Sequence, residues 1–231
     1  MSRPALHPRA RLAGATIVFI ATAWLFGGVA EDVVSGDPLT LVDVYVADWL
    51  HGHASPAVTR FMLAASDAHG VVAISMYALL GATYLAWKRD WYWLLCLGAV
   101  VPGGMILNAL TKLAFRRARP SFEHPLLELA TYSFPSGHVA GATLFYGVLA
   151  AMLVGKYRRW RPTALIVSVG MALVALVAAS RMVLGAHYLS DTIAAFAQAL
   201  AWLTLCLAAI DRYWNRRAES AKGHVPPGGV R

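Results

Sequence analysis

Six stretches of this chain are too apolar and too long to lie in water, and they set what it can fold into. They run from Leu12 to about Ala30, Val71 to Trp87, Trp91 to about Leu113, about Val139 to Val154, Pro162 to Ala179, and about Tyr188 to Ile210. A helix needs about 20 apolar residues to cross a hydrocarbon core of roughly 30 Å. Inside the bilayer a helix also satisfies its own backbone polar groups, which open strands cannot. The expected fold class is therefore all-α: a polytopic membrane protein built as a six-transmembrane-helix bundle. Only 14% of the residues are charged and 58% are hydrophobic, against about 25% charged in soluble domains. The first run ends in Gly28-Val29-Ala30, a small-residue pattern that could suit signal cleavage. It is longer than the roughly 7–15 residues of a signal-peptide core and reads as an uncleaved first span.

Residues 31–70 differ from the spans. They contain Glu31, Asp32, Asp37, Asp43, Asp48 and Asp67 with Arg60 as the one cation. Asp37-Pro38 and Ser55-Pro56 each pair a capping residue with a proline at the first helical position. Leu41, Val42, Val44, Tyr45, Trp49 and Leu50 give the first piece an apolar side. The expectation is two short amphipathic helices on the membrane surface between spans 1 and 2. His51 and His53 form an isolated pair with no further ligand spacing, so no metal site is expected. Within the third span, Pro102-Gly103-Gly104 should kink the helix or let a neighbour approach closely, and Asn108 should hydrogen-bond across the bundle. Cys96 and Cys206 both fall in apolar spans and read as small buried hydrophobes, not as a disulfide framework.

The net charge of +8 does not point to nucleic acid, because the cations come in short clusters between spans. Fourteen of the twenty Lys and Arg lie in the N-terminal arm (residues 1–11), the 88–90 turn, the 156–161 turn and the tail after residue 210. The positive-inside rule puts all four segments, and both termini, in the cytoplasm. The tail, ending in Pro226-Pro227-Gly228-Gly229, is expected to be disordered over residues 211–231. The 31–70, 112–138 and 180–187 segments then face outward from the cytoplasmic membrane. The outward cations are Arg60, Lys112, Arg116, Arg117, Arg119 and Arg181. Topology does not call for them on that side, so all but Arg60 need a chemical reason.

Three motifs at span ends on that outward face supply one. They are Lys112-x6-Arg119-Pro120, Pro135-Ser136-Gly137-His138, and Ser180-Arg181-x5-His187-x3-Asp191. These residue types fit phosphoryl transfer, where catalysis is mostly positioning and stabilisation of charge spread over three equatorial oxygens. Lys112, Arg119 and Arg181 supply cations, and arginine suits bidentate contact with phosphate. Ser136 and Gly137 open the fourth span, where free backbone N–H groups make an anion site. His187 and Asp191 lie one helical turn apart, so the carboxylate can orient the ring and stabilise charge formed on attack. That pairing gives the nucleophile's role to His187 and leaves His138 as the acid, although a helix N-terminus opposes a protonated histidine.

The combination resembles the type 2 phosphatidic acid phosphatase family, the membrane relatives of vanadium haloperoxidases. The three motifs match without departure, and the resemblance covers about residues 71–210. It implies that His187 forms a phosphohistidine, that His138 is the acid and that Asp191 partners His187. It makes Lys112, Arg119, Ser136, Gly137 and Arg181 the phosphate pocket, with neither metal nor other cofactor. Arg116 and Arg117 are not fixed in the family and read as headgroup or diphosphate contacts. The expected function is an integral membrane lipid phosphatase with its site on the extracytoplasmic face and residues 12–210 as the catalytic domain. Its substrate would be a lipid phosphate or diphosphate monoester: a polyprenyl diphosphate, phosphatidic acid, phosphatidylglycerol phosphate or a lipid A type. No obligate protein partner is indicated. The alternatives are a lipid phosphotransferase using the same phosphohistidine, and a non-catalytic lipid-phosphate-binding membrane protein.

Overall fold

The computed structural model describes residues 8–36, 38–123, 125–127, 129–157 and 159–222. Every regular element in them is helical: α1 (Pro8–Ser35), α2 (Pro38–His53), α3 (Pro56–Asp67), α4 (Val71–Trp87), α5 (Trp91–Phe115), α6 (Gly137–Tyr157), α7 (Trp160–Val183) and α8 (Leu189–Lys222). Five of them, α1, α5, α6, α7 and α8, are long and apolar enough to cross a membrane. The other candidate is α4, whose 17 residues reach only about 25 Å at the α-helical rise. It joins α3 across a break bent by 43°, and the pair together makes a possible sixth span. Many-sided apolar exposure runs around the bundle, including Trp24, Val72, Leu79, Leu165 and Trp160. In water such an area would drive association; against acyl chains it costs nothing.

Local signals placed the starts of α2 and α3. Ser55 caps α3, its Oγ accepting from Val58 N at 3.4 Å, with Pro56 in the first turn. Pro38 opens α2, while the expected cap Asp37 lies outside the described residues. Two short helices therefore form between α1 and α4, and α3 packs along α7 and buries Ser66, so it belongs to the rim of the bundle. The apolar side read on α2 is turned away from the bundle. Leu41, Val42, Val44, Tyr45 and Trp49 are exposed, while Asp43 and Ala47 are buried.

Helix α8 is the axis of the packing, touching α1, α5, α6 and α2. Small residues allow this: Ala194, Ala195 and Ala197 are fully buried along it. The Pro102-Gly103-Gly104 segment permits the expected close approach. A β-carbon on Gly104 would stand 2.6 Å from Leu144, and one on Gly103 2.8 Å from the Trp202 ring. Asn108 is buried, and its Nδ2 has no hydrogen-bond partner among the described residues. The helix continues beyond residue 210 through Lys222, so 211–222 is helical where disorder was expected. Asn215 hydrogen-bonds Asp211 one turn back at 3.3 Å there, the kind of i,i+4 pair that supports an exposed helix. The rest of the tail, 223–231, and arm residues 1–7 lie outside the described residues. Cys96 and Cys206 are buried and unpaired.

Candidate active site

At one end of the bundle, the 116–136 segment, the last turn of α7 and the first turns of α6 and α8 meet. A second apolar cluster seats this junction, with fully buried Phe134 and Ala194 packed against Val29 and Ala30 of α1. Phe134 stacks at 4.9 Å on Phe115 and 6.1 Å on Phe26. The turn between α7 and α8 is tight because Gly185 adopts φ +67°, and a β-carbon there would sit 2.7 Å from Phe122. No other residue type relieves both constraints.

His187 follows that turn and is 2% exposed. Its Nδ1 faces Asp191 Oδ2 at 3.3 Å and its Nε2 faces Arg119 Nη1 at 3.3 Å. A carboxylate can only accept and a guanidinium can only donate. The neutral ring must then carry its proton on Nδ1, leaving the Nε2 lone pair turned toward the cations. Burial lowers the His187 pKa to about 4 even though Asp191 pulls it upward. The ring is therefore unprotonated at neutral pH, as a nucleophile needs. Asp191 is fully buried and saturated: Ser133 Oγ donates to Oδ2 at 2.5 Å, Tyr188 N at 2.9 Å, and Arg117 Nη1 donates to Oδ1 at 2.7 Å.

Arg119 and Lys112 hold the walls. Arg119 donates to Thr131 O at 2.6 Å, Thr131 Oγ1 at 2.9 Å, Tyr132 O at 3.1 Å and Ala186 O at 2.6 Å. Lys112 Nζ donates to Tyr132 O at 2.7 Å and Ser133 O at 3.3 Å. Both cations border the pocket while fixing the 131–133 backbone. Burial lowers the Arg119 pKa, with Asp191 opposing. Arg181, in the last turn of α7 instead of the loop after it, donates Nη1 to Ser66 Oγ at 2.6 Å. Among the described residues its Nε is buried without a partner, as are Ser136 Oγ and Asn108 Nδ2. Ser136 O accepts from Ala140 N at 3.0 Å, so Ser136 stands at the N-cap of α6 with its hydroxyl uncommitted. Gly137 begins the helix beside Asn108. Unpaired buried donors are costly, and three beside a helix N-terminus fit an anion.

His138, the second residue of α6, lies within electrostatic range of Arg181, His187 and Arg119. Its Nε2 is 3.7 Å from where a Gly70 β-carbon would lie, so the α3–α4 elbow forms its other wall. His69, next in that elbow, has Nδ1 on Ala65 O at 2.8 Å and Nε2 on Tyr146 OH at 2.7 Å. The motif residues of all three segments thus converge.

Arg117 is turned inward instead of sitting as a headgroup contact, while Arg116 stays exposed at the end of α5. Arg116 takes the left-handed cap of α5 at φ 48° and folds back, Nε donating to Leu113 O at 3.1 Å. The Arg117 side chain is 14% exposed and bridges Asp191 to Asp43, with Nη2 donating to Asp43 Oδ2 at 2.8 Å. Burial alone would lower its pKa, but Asp191 and Asp43 hold it above the ordinary arginine value. The guanidinium also lies 4.4 Å over the Tyr188 ring. Asp43, Ser190, Ser133 and Ser66 were not singled out from sequence. An acid set directly between apolar residues, as Asp43 is between Val42 and Val44, was the available signal. His51 and His53 point to separate neighbours: His51 stacks on Phe122 at 4.0 Å and His53 Nδ1 meets Trp49 O at 2.8 Å. Among the described residues no group of three or more His, Cys, Asp or Glu is placed to hold a metal.

A helical membrane bundle with a buried His–Asp pair, fixed cations and uncommitted donors at one end defines an anion-handling membrane protein. The family model described as the PAP2 superfamily matches residues 91–215, and the chain belongs to that superfamily. Among curated relatives, phosphatidylglycerophosphatase B of Bacillus subtilis is 29% identical over 133 residues, covering 55% of this chain and 62% of that protein. A probable lipid phosphate phosphatase beta of Arabidopsis thaliana is 31% identical over 107 residues, covering 45% and 49%. The chain thus spans less than two thirds of either relative's length. The fold is similar to a crystallised transmembrane PAP2 type phosphatidylglycerolphosphate phosphatase from Bacillus subtilis. Its TM-score is 0.69 at 22% identity, covering 87% of this chain and 96% of that one. Aquifex aeolicus LpxE gives 0.57 at 18%, covering 72% and 94%.

Proposed function

We propose that this protein is an integral membrane lipid phosphatase that hydrolyses a phosphate or diphosphate monoester of a lipid through a phosphohistidine, without a metal ion. The observation that carries the reading is the His187 ring, held with Nδ1 toward Asp191 and Nε2 beside Arg119.

His187 Nε2 would attack phosphorus as the bond to the lipid oxygen breaks. His138 would deliver the proton that the leaving oxygen takes up. Arg119, Arg181, Lys112, Ser136 Oγ and the N–H groups opening α6 would face the equatorial oxygens, the role metal ions play elsewhere. Asp191 would stabilise the positive charge spread onto the bonded imidazole. In the second half, water attacks phosphorus, His138 takes its proton, and the N–P bond breaks to return neutral His187 and inorganic phosphate. The relatives named for lipid phosphates support a lipid ester as the substrate class. The distribution of exposed cations supports cytoplasmic termini and a site on the extracytoplasmic face.

Purified protein in detergent, with a chelator present, should release inorganic phosphate from short-chain phosphatidic acid, and the H187A variant should not. Release by that variant at the wild-type rate rules out the nucleophile. Loss of wild-type release on chelation rules out metal independence. A cysteine at exposed Ser121, in a Cys-free background, should label from outside intact cells; labelling only after permeabilisation inverts the topology.

A further inference from the structure

Asp43 lies on α2, outside the family-matched residues 91–215. Its carboxylate is completely buried. Oδ1 accepts from Ser190 N at 2.8 Å, and Oδ2 accepts from Arg117 Nη2 at 2.8 Å and from Ser190 Oγ in a short bond. The opposite end of the same guanidinium holds Asp191 Oδ1 at 2.7 Å, and Asp191 Oδ2 faces His187. One arginine therefore bridges two buried carboxylates, and only one of them reaches the histidine.

The arrangement has a charge consequence. An arginine paired with Asp191 alone would cancel the negative charge that must stabilise the imidazole as it bonds to phosphorus. With Asp43 on its other side, Arg117 is shared, and the trio of Asp43, Arg117 and Asp191 retains one net negative charge. Buried charges persist only when paired, and here the count leaves one carboxylate's worth uncancelled against His187. We propose that Asp43 is a positioning residue that keeps Asp191 electrostatically available to His187 by taking up the second face of Arg117. This rests on the phosphohistidine reading above. A purely structural role, tethering α2 to the start of α8, is the competing account.

The two accounts differ in the sign of a double-mutant effect. The D43N variant keeps the shape but leaves Arg117 opposite Asp191 alone. D43N/R117Q removes the charge pair together and restores one net negative charge at Asp191. Full-length protein, shown to be folded by its elution profile and unfolding temperature, would be assayed on dioctanoyl phosphatidic acid. The D43N variant should lose about fivefold or more in kcat with KM changed less than about threefold, because the lost interaction strengthens only in the transition state. At an unfolding temperature equal to that of D43N, the double variant should be faster than D43N by about threefold or more, whereas relief of a structural defect would raise that temperature as well. A smaller kcat loss in D43N overturns the proposal, as does a double variant no faster than the single one. If D43N does not fold, the double variant decides alone: kcat within about thirtyfold of wild type supports the role and a larger loss overturns it. Wild-type protein that releases no phosphate refutes the phosphatase reading itself. An active wild type, a dead H187A and a normal D43N refute only the role of Asp43.

Discussion

Both ends of the bundle carry basic residues, and the two ends use them in opposite ways. At the end bearing the 88–90 and 156–161 turns, cations lie over aromatic rings in the open: Lys88 Nζ is 4.2 Å from the Trp87 centroid, and Arg161 is 5.5 Å from that of Trp160. Aromatic and basic residues side by side are what a membrane–water interface selects. At the other end, Lys112, Arg117, Arg119 and Arg181 are turned inward onto carbonyls, carboxylates and a serine. A cation there forgoes most of its water and is retained only because partners replace it. The same residue type therefore serves as an anchor at one end and as fixed machinery at the other. What separates them is the partner set, not the charge.

The largest test of that contrast is Arg119→Ala. It removes a donor facing His187 together with three ties to the 131–132 and 186 carbonyls and one to the Thr131 hydroxyl. Loss of one preorganised donor costs about 10²–10³ in kcat in other enzymes. Here the wall moves as well, so kcat for phosphate release should fall by about 10³ or more. A loss under tenfold would mean that this cation is an anchor like those at the far end. Gly185→Ala comes next. At φ +67°, and with Phe122 2.7 Å from the new methyl, the variant should lose about 1–3 kcal/mol of stability. A lower unfolding temperature in detergent is the measurement, with part of the activity lost because His187 follows two residues later.

How far the sequence exposed this contrast depends on the distance over which each feature is decided. Span limits are local, so α4 occupies Val71–Trp87 as read, and α5 starts at Trp91. The motif residues that the structure brings together stood out as cations set apart from the other basic clusters. Arg117 was misjudged because its partner Asp43 is 74 residues away. Asp43 stands out only in the folded chain, because its partners Arg117 and Ser190 lie 74 and 147 residues away. In a membrane protein an apolar face is free to meet lipid, so Leu41 and Tyr45 turn out while the one acid among them turns in. The continuation of α8 past residue 210 was hidden by charge. Lys and Arg read as the end of a span, yet they do not end a helix.

The pH response follows from the burial of His187. Its pKa is held down to about 4, below the ordinary value of 6.5, because desolvation outweighs the pull of Asp191. The acid limb of kcat/KM in the free enzyme should therefore fall near pH 4, with full efficiency retained through pH 6. An acid limb at 6.5 or above would place His187 in contact with water, erasing the difference between the two ends. Stability has its own sign. The unfolded chain takes up a proton at His187 as pH drops through 6.5, and the folded chain resists until about 4. This residue's contribution is complete above 6.5 and diminishes between those limits.

The smallest expected effect is at the far end, and it is the most direct check on the contrast. Lys88 sits over Trp87 at the C-terminal end of α4, the opposite end of that helix from the Gly70 elbow beside His138. A Lys88→Ala variant removes a positive charge comparable to that of Lys112, from a helix-end turn of the same chain. If the partner set determines what a cation does, kcat and KM should each change by less than about twofold, as for surface substitutions generally. Lys112→Ala should instead slow release by about tenfold or more, because Nζ fixes the carbonyls of Tyr132 and Ser133 beside the nucleophile. Steady-state kinetics on the two variants, purified in the same detergent, give the ratio directly. Equal losses would mean that charge alone, wherever it lies on the bundle, governs the rate by drawing an anionic lipid from the bilayer.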